Sequence, residues 1–261
     1  MASRLAVGWR AQRRVIGALM IRELITRFGR ENIGFLWMMV EPLLFAVLVG
    51  LVWRFMHGPE EHGVSVVAFV ATGYIPITLF RHILGRAIRV FSVNGSLLYH
   101  RQIKILDLLL VRFVIEFIGS MMAYLFIGVI LINLGEFPIP ADFGKLFLGW
   151  ILYSWFSLSL VLILAPLSEW SDVLEKLVPV TVYVMIPVSG TFSMVSWLTP
   201  DAQRAVLYSP FVHAMELMRE GVFGPVIHAQ YDISVPIGAS LVLTLIGLSL
   251  CRRVRRDLVV E

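Results

Sequence analysis

Charged side chains stand inside or beside long apolar runs at four places in this chain. Glu41 precedes Pro42 in the first run. His82, Arg86 and Arg89 fall at i, i+4 and i+7, one helical stripe with Arg81 beside it. Arg112 and Glu116 are an i,i+4 pair, placed to neutralise one another on one helix face. In Ser209–Phe223, SPFVHAMELMREGVF, the helical pattern puts His213, Glu216 and Glu220 on one side with Arg219 adjacent. Such groups can bind an ion or an anionic headgroup, or hold each other, and inside a membrane span they are functional candidates by default. Covalent chemistry lacks its parts. There is no G-x-x-x-x-G-K-[ST], no H-E-x-x-H and no G-x-S-x-G. The six histidines, at 57, 62, 82, 100, 213 and 228, show no ligand spacing, so no metal site is expected. The single Cys251 excludes a disulfide framework. The chain is therefore expected not to be an enzyme and to hold no cofactor of its own. If ATP powers it, the ATPase is another polypeptide.

The elements that must carry these groups are membrane helices. Of 261 residues 58% are hydrophobic and 15% charged, with a mean hydropathy of +0.83. Globular chains run at about 45–50% and about 25%. The excess points to an all-α polytopic membrane protein. Apolar runs at Phe35–Met56, Val64–Leu84, Ile105–Leu134, Leu146–Leu167, Val173–Phe192 and Val235–Cys251 are each long enough to approach the ~20 residues a span needs. The second is expected to continue as helix to about Val93, and the third to begin outside the membrane at Asp107. The organisation expected is a single transmembrane domain, with 1–33 an interfacial segment, 35–192 spans one to five, 193–232 an outer re-entrant segment and 235–251 span six.

Orientation follows from lysine and arginine in the short connections. Residues 1–31 hold seven arginines against Glu23 and Glu31. Arg81–Lys104 holds five basic residues and no acid, and the C-terminal Arg252–Arg256 is RRVRR. The alternate connections, 57–65 and 135–145, hold one lysine against four acids. Both termini are thus expected on the cytoplasmic side, with six spans. The N-terminal run Val15–Ile21 is short and ends in Arg22-Glu23, unlike a cleaved leader. Leu5, Trp9 and Ile16 share one helical face and Met20, Leu24 and Phe28 another, rotated by roughly 80°. The pattern predicts a break near Gly17 and two short interfacial segments.

Several of these residues admit two readings. Glu41 either bends the first span along a substrate path, paired with an arginine of the N-terminal helix, or is a headgroup-level acid at a helix start. His82, Arg86 and Arg89 either set topology or form a basic entrance for an anionic headgroup or sugar acid. Trp37, Tyr74 and Trp155 either face a path or pack; Trp37, Trp53, Trp150 and Trp170 near span ends suit an interfacial belt. Thr199-Pro200 and Ser209-Pro210 read as helix starts, proline at the first helical position. They predict two short helices dipping into the outer leaflet, in which Glu216 and Arg219 pair and help hold a gate of His213, Glu216, Arg219 and Glu220.

Two stretches carry a family resemblance. IRELITRFGRENIGFLWMMVEP, Ile21–Pro42, resembles the R-E-[IL]-x-x-R-[FY]-x-x-x-x-[LI]-G-x-[LF]-W-x-x-[LV]-E-P signature of ABC-2 type exporter permeases. Ser209–Phe223 resembles their [NS]-P-[LF]-x-H-x-x-E-x-x-R-[ED] stretch before the last span. The pattern is most similar to the capsule-polysaccharide, KpsM-like branch, then to O-antigen and teichoic-acid exporters. The resemblance implies a homodimer working with two copies of a cognate ABC ATPase that binds ATP and Mg, in the bacterial inner membrane. It implies a lipid-linked polysaccharide as cargo, periplasmic or outer-membrane export components as further partners, and no nucleic acid. It places ATPase coupling at Asn94–Gln102, including Asn94, Gly95, Leu98, Tyr99, His100 and Arg101, with a smaller contact at Ser168 and Glu169. It places Arg22, Arg27 and Arg30 at the substrate entrance. A permease for a small hydrophobic molecule, and an ion-coupled secondary transporter, are the alternatives. Against the latter, the two halves show no repeat and the acids cluster near the membrane faces.

Overall fold

The computed structural model describes residues 4–28, 34–88, 90–98 and 103–260. Its helices are α1 (Arg4–Phe28), α2 (Gly34–His57), α3 (Val66–Ala87), α4 (Val90–Val93), α5 (Gly95–Leu98), α6 (Ile105–Asn133), α7 (Phe143–Trp170), α8 (Asp172–Val188), α9 (Pro200–Val206), α10 (Pro210–Phe223) and α11 (Ser234–Val260). A two-stranded hairpin, β1 (Glu60–Glu61) and β2 (Val64–Ser65), joins α2 to α3. His62 and Gly63 both take positive φ at its turn, the geometry that suits a two-residue hairpin. Among the described residues four helices are long and apolar enough to cross a membrane: α3, α6, α7 and α11 as far as Arg256.

α3 is the axis of the bundle. Its apolar window is 89% buried, against 22% for α11. α2, α6 and α7 pack around α3, and α7 in turn carries α10 and α11 along its length. Outward faces keep large aliphatic side chains exposed, among them Leu48 on α2, Val129 on α6 and Leu245 on α11. Lipid rather than water suits such faces.

Several boundaries differ from the sequence pattern. α1 is one continuous helix through Gly17, not two segments. The stripe that settles this is Ile16, Met20 and Leu24 at i, i+4 and i+8, which packs on the core with Val15 and Leu19 while Trp9 stays outside. α3 does not run on to Val93. Ile88 turns extended (ψ 138°) and the short α4 and α5 follow. α11 begins at Ser234 and reaches Val260, well past Cys251, taking the basic run into the helix. The expected connection Ser168–Asp172 shrinks to one residue. Ser168 and Glu169 belong to the last turn of α7, and Ser171 alone ends α7 and starts α8, its hydroxyl accepting from the Leu174 amide. Trp150 is no interfacial belt residue: it is buried against Phe117 and Tyr124.

The α7–α10 contact depends on glycine. A Cβ on Gly149 would stand 2.7 Å from the Met218 amide nitrogen and 2.8 Å from the Ala214 carbonyl. A Cβ on Gly221 would collide with the backbone of Leu146. Two backbones meeting this closely is how membrane helices gain contact where no hydrophobic force drives them together. The carbonyls at the end of α10 are met by the chain entering α7: Asp142 N donates to Gly221 O (2.8 Å) and Ala141 N to Val222 O (3.3 Å). Gly149→Val is expected to destabilise the purified protein by about 1–3 kcal/mol, as overpacking does, read as a lower melting temperature. Gly85→Ala, whose added carbon meets nothing within 4 Å, leaves the melting temperature unchanged or higher.

Candidate functional site

Two polar clusters occupy opposite ends of the bundle. At the first, α1 lies on α6 with Gln12, Glu23 and Arg27 facing it. Gln12 donates to Asp107, which also accepts from the Lys104 amide at the start of α6. Arg27 bonds Glu23 at i,i+4 (3.1 Å) and Glu116 of α6 (2.6 Å). Arg86 of α3 reaches the same Glu116 oxygen (2.7 Å), and His82 Nδ1 lies 3.5 Å from the other. Glu116 is fully buried, so this α6 carboxylate is held by groups from α1 and α3 away from water. A buried charge persists only when it is compensated.

The cluster opens outward from there. Arg81 pairs with Glu41 of α2 (2.9 Å), and His82 Nε2 lies 3.6 Å from the same oxygen. Arg81, Arg86 and Glu41 are partly exposed. Arg112 pairs with Glu23 (3.4 Å) and donates to the carbonyl of Arg86, one of the orphan carbonyls at the end of α3. Arg22 donates to Asn94 (3.1 Å), which itself anchors to Val90 O (2.8 Å). Arg22, Arg27, Arg81, Arg86 and Arg112 thus face Glu23, Glu41 and Glu116, an excess of cation.

Two expected pairings are corrected. Among the described residues Glu41 meets no arginine of α1; α1 turns its Arg27 to Glu116, and Glu41 pairs with Arg81 on the adjacent α3. Arg112 and Glu116 share a helix face but part to different partners, Glu23 and Arg27. Helical spacing sees neighbours on one helix; here the acids are claimed across helices. Glu23, Gln12 and Asp107 join the cluster for the same reason. Tyr74 is buried on α3 and stacks on Phe45 (4.1 Å), and Trp155 donates to Thr244 of α11 (3.3 Å). Arg30, Arg89, Tyr99, His100 and Arg101 lie outside the described residues, as does the side chain of Trp37. Gly95 begins α5, and Leu98 ends it packed on the core. Ser168 is buried and bonds Ala165 O, and Glu169 is half-buried.

The second cluster is built on α10. Thr199-Pro200 and Ser209-Pro210 do start α9 and α10, with proline at the first turn, though neither hydroxyl caps its helix. Arg219 is buried, and among the described residues no carboxylate pairs with it. It donates to the carbonyls of Gly190 (2.7 Å), Thr191 (2.5 Å) and Ser193 (3.1 Å), and its guanidinium lies 3.8 Å from the centre of the Phe69 ring. Glu216 accepts from the amides of Val195 (3.0 Å) and Gln230 (2.9 Å). His213 meets Leu207 O (2.8 Å) and accepts from the Asp232 amide (2.9 Å). Glu220 takes the Tyr231 hydroxyl (2.5 Å) and Lys145 (2.9 Å). The expected Glu216–Arg219 pair is absent among the described residues. Each of the two instead satisfies non-helical backbone before or after α10. Irregular backbone at membrane depth needs such protein partners, because lipid offers none. Gly73 of α3 makes room: a Cβ there would collide with the Thr191 carbonyl and the Arg219 guanidinium. Near this end Glu136 accepts from Ser65 and Arg54, which hold its carboxyl below the usual carboxylate range.

With both clusters described, the chain can be set beside known proteins. Residues 14–223 match the family described as ABC-2 type transporter, a stretch that takes in α1 from Arg14 on, Glu116 with its partners and all of α10. The chain belongs to the ABC-2 type transporter family. A capsule polysaccharide export inner-membrane protein of Neisseria meningitidis serogroup B, CtrC, is 38% identical over 92% of this chain and 90% of its own length. BexB of Haemophilus influenzae, of the same description, is 36% identical over 91% of this chain and 89% of its own. The polysialic acid transport protein KpsM of Escherichia coli is 27% identical over 94% and 95%. This ABC-2 chain is thus similar to capsule export proteins over about nine-tenths of its length.

Arg219→Met removes a donor to three carbonyls and leaves them buried. It is expected to cost at least about 3 kcal/mol and to lower the melting temperature of the detergent-solubilised protein sharply. Arg219→Lys does not restore it, because an ammonium cannot reach three carbonyls at once as the planar fork does.

Proposed function

We propose that this chain is the membrane subunit of an ATP-driven exporter that carries lipid-linked capsular polysaccharide across the bacterial inner membrane. The observation that carries the reading is the similarity to capsule export proteins over more than nine-tenths of the chain. The cation-rich cluster at the α1 end supports an anionic cargo. α2, 24 residues long, and α8, 17 residues long, join the four long apolar helices as spans, making six in a single transmembrane domain. The arginine-rich α1 end faces the cytoplasm with both termini, α1 rests at the surface, and 193–232 re-enters the outer leaflet.

In this reading two copies of the permease stand over two copies of a separate ATPase, which binds ATP and Mg and performs the hydrolysis. Arg22, Arg27, Arg30, Trp37, Glu41, Tyr74, His82, Arg86, Arg89 and Trp155 border the path of the cargo. Asn94–Gln102, with Ser168 and Glu169, receives the ATPase stroke. The Arg22–Asn94 bond then links the coupling segment to α1. His213, Glu216, Arg219 and Glu220 form the frame of the outer gate. Periplasmic and outer-membrane export components receive the chain beyond it.

Deleting the gene is expected to abolish surface polysaccharide, with recovery on complementation; unchanged surface polysaccharide overturns the reading. Replacing Tyr99, His100 and Arg101 together by alanine is expected to leave the permease in the membrane and to lose the co-purifying ATPase. Retained co-purification removes the coupling role from this segment.

A further inference from the structure

His82 occupies a place between two acids on different helices. Its Nε2 lies 3.6 Å from Glu41 Oε1 of α2, and its Nδ1 lies 3.5 Å from Glu116 Oε2 of α6. Both are ion-pair separations. A neutral imidazole carries its proton on one nitrogen and the imidazolium carries one on each. The neutral ring can therefore serve α2 or α6; only the charged ring serves both. Glu116 Oε2 is buried and receives no hydrogen bond among the described residues, so a donor on Nδ1 meets an unmet acceptor. The ring is itself partly exposed, 18% of its side-chain surface, which gives protons access. Histidine is the side chain that changes charge in the neutral range.

We propose that His82 is a proton-operated clasp: charged, it ties α2 to α6 through α3, and neutral, it loosens α2 by leaving Glu41 to Arg81 alone. Every packed element presents charge to it. α2 presents Glu41, α6 presents Glu116 and Arg112, and α1 presents Arg27 and Glu23. On α3 itself stand Arg81, Arg86 and the Tyr74 hydroxyl. Only the charged ring makes both contacts, so above the ordinary carboxylate range the clasp weakens as pH rises. α2 is the element loosened. It has one acid in the cluster, Glu41, while farther along it meets α3 through close contacts such as Gly50 against Val67. α6, by contrast, is held to α1 and α3 through Glu116 and Arg112 whatever the state of the ring.

The clasp can be read without cargo or ATPase. Ala46, buried one turn before Gly50 on α2, becomes a reporter as Ala46→Cys in a Cys251→Ala background. The permease in lipid nanodiscs is labelled with N-ethylmaleimide at pH 6 and pH 8. Each rate is divided by that of the same protein carrying His82→Arg, which holds the charge on and cancels the thiolate fraction. With His82 present the ratio is expected near one at pH 6 and about tenfold higher at pH 8, the scale of one charge-assisted bond. His82→Gln raises the ratio at both pH values. Glu41→Gln, which leaves His82 in place but removes its α2 partner, does the same. A ratio near one at both pH values with His82 present, or in the His82→Gln or Glu41→Gln protein, overturns the clasp.

Discussion

Glu116 is the charge on which the α1 end of the molecule depends. A carboxylate with no access to water is tolerable only if cations reach it, and Arg27 and Arg86 do so from two other helices. That requirement docks α1, a helix with arginines along its length, onto α6 at a fixed height. It also sets the end of α3, because Arg86 serves Glu116 with its side chain while its carbonyl takes Arg112. The same logic extends outward through Glu23 and Asn94. α1 and the segment after α3 thereby belong to one electrostatic unit. A push on either reaches α6 through short, charge-assisted bonds, which gives the coupling reading a physical route.

The other end answers the opposite problem. There the difficulty is irregular backbone buried within the bundle. α10 supplies Arg219 to three carbonyls and Glu216 to two amides, so loops on either side of it are satisfied by one helix. The H-x-x-E-x-x-R-E spacing needs no ligand to explain it. It puts four polar side chains around a short helix, where His213, Glu216 and Glu220 all hold the stretch 230–232 and Arg219 holds 190–193. Gly73, Gly149 and Gly221 permit the approach that those bonds require.

Much of the fold was legible in the sequence because apolar length and proline position are local signals. The starts of α9 and α10, and the bounds of α2, α6 and α7 to within a few residues, follow from them. What failed were inferences about partners. Arg112 with Glu116, Glu41 with an arginine of α1, and Glu216 with Arg219 were each chosen from chain neighbours or chain order. The structure gives each a partner across a helix boundary or on a loop backbone. The break expected at Gly17 failed for a related reason. Trp9 shares a helical face with Ile16, yet it stays outside while Ile16, Met20 and Leu24 pack on the core. The relation of Arg22 to Asn94, 72 residues apart, has no local signature at all.

The central claim is that the Glu116 cluster carries transport as well as fold. Glu116→Gln tests it most directly, since the amide keeps the shape and removes the charge. Surface polysaccharide is measured in cells where the variant permease is present in the membrane at the wild-type amount. The account predicts at least a tenfold loss of surface polysaccharide with the ATPase still bound; export at the wild-type level would contradict it.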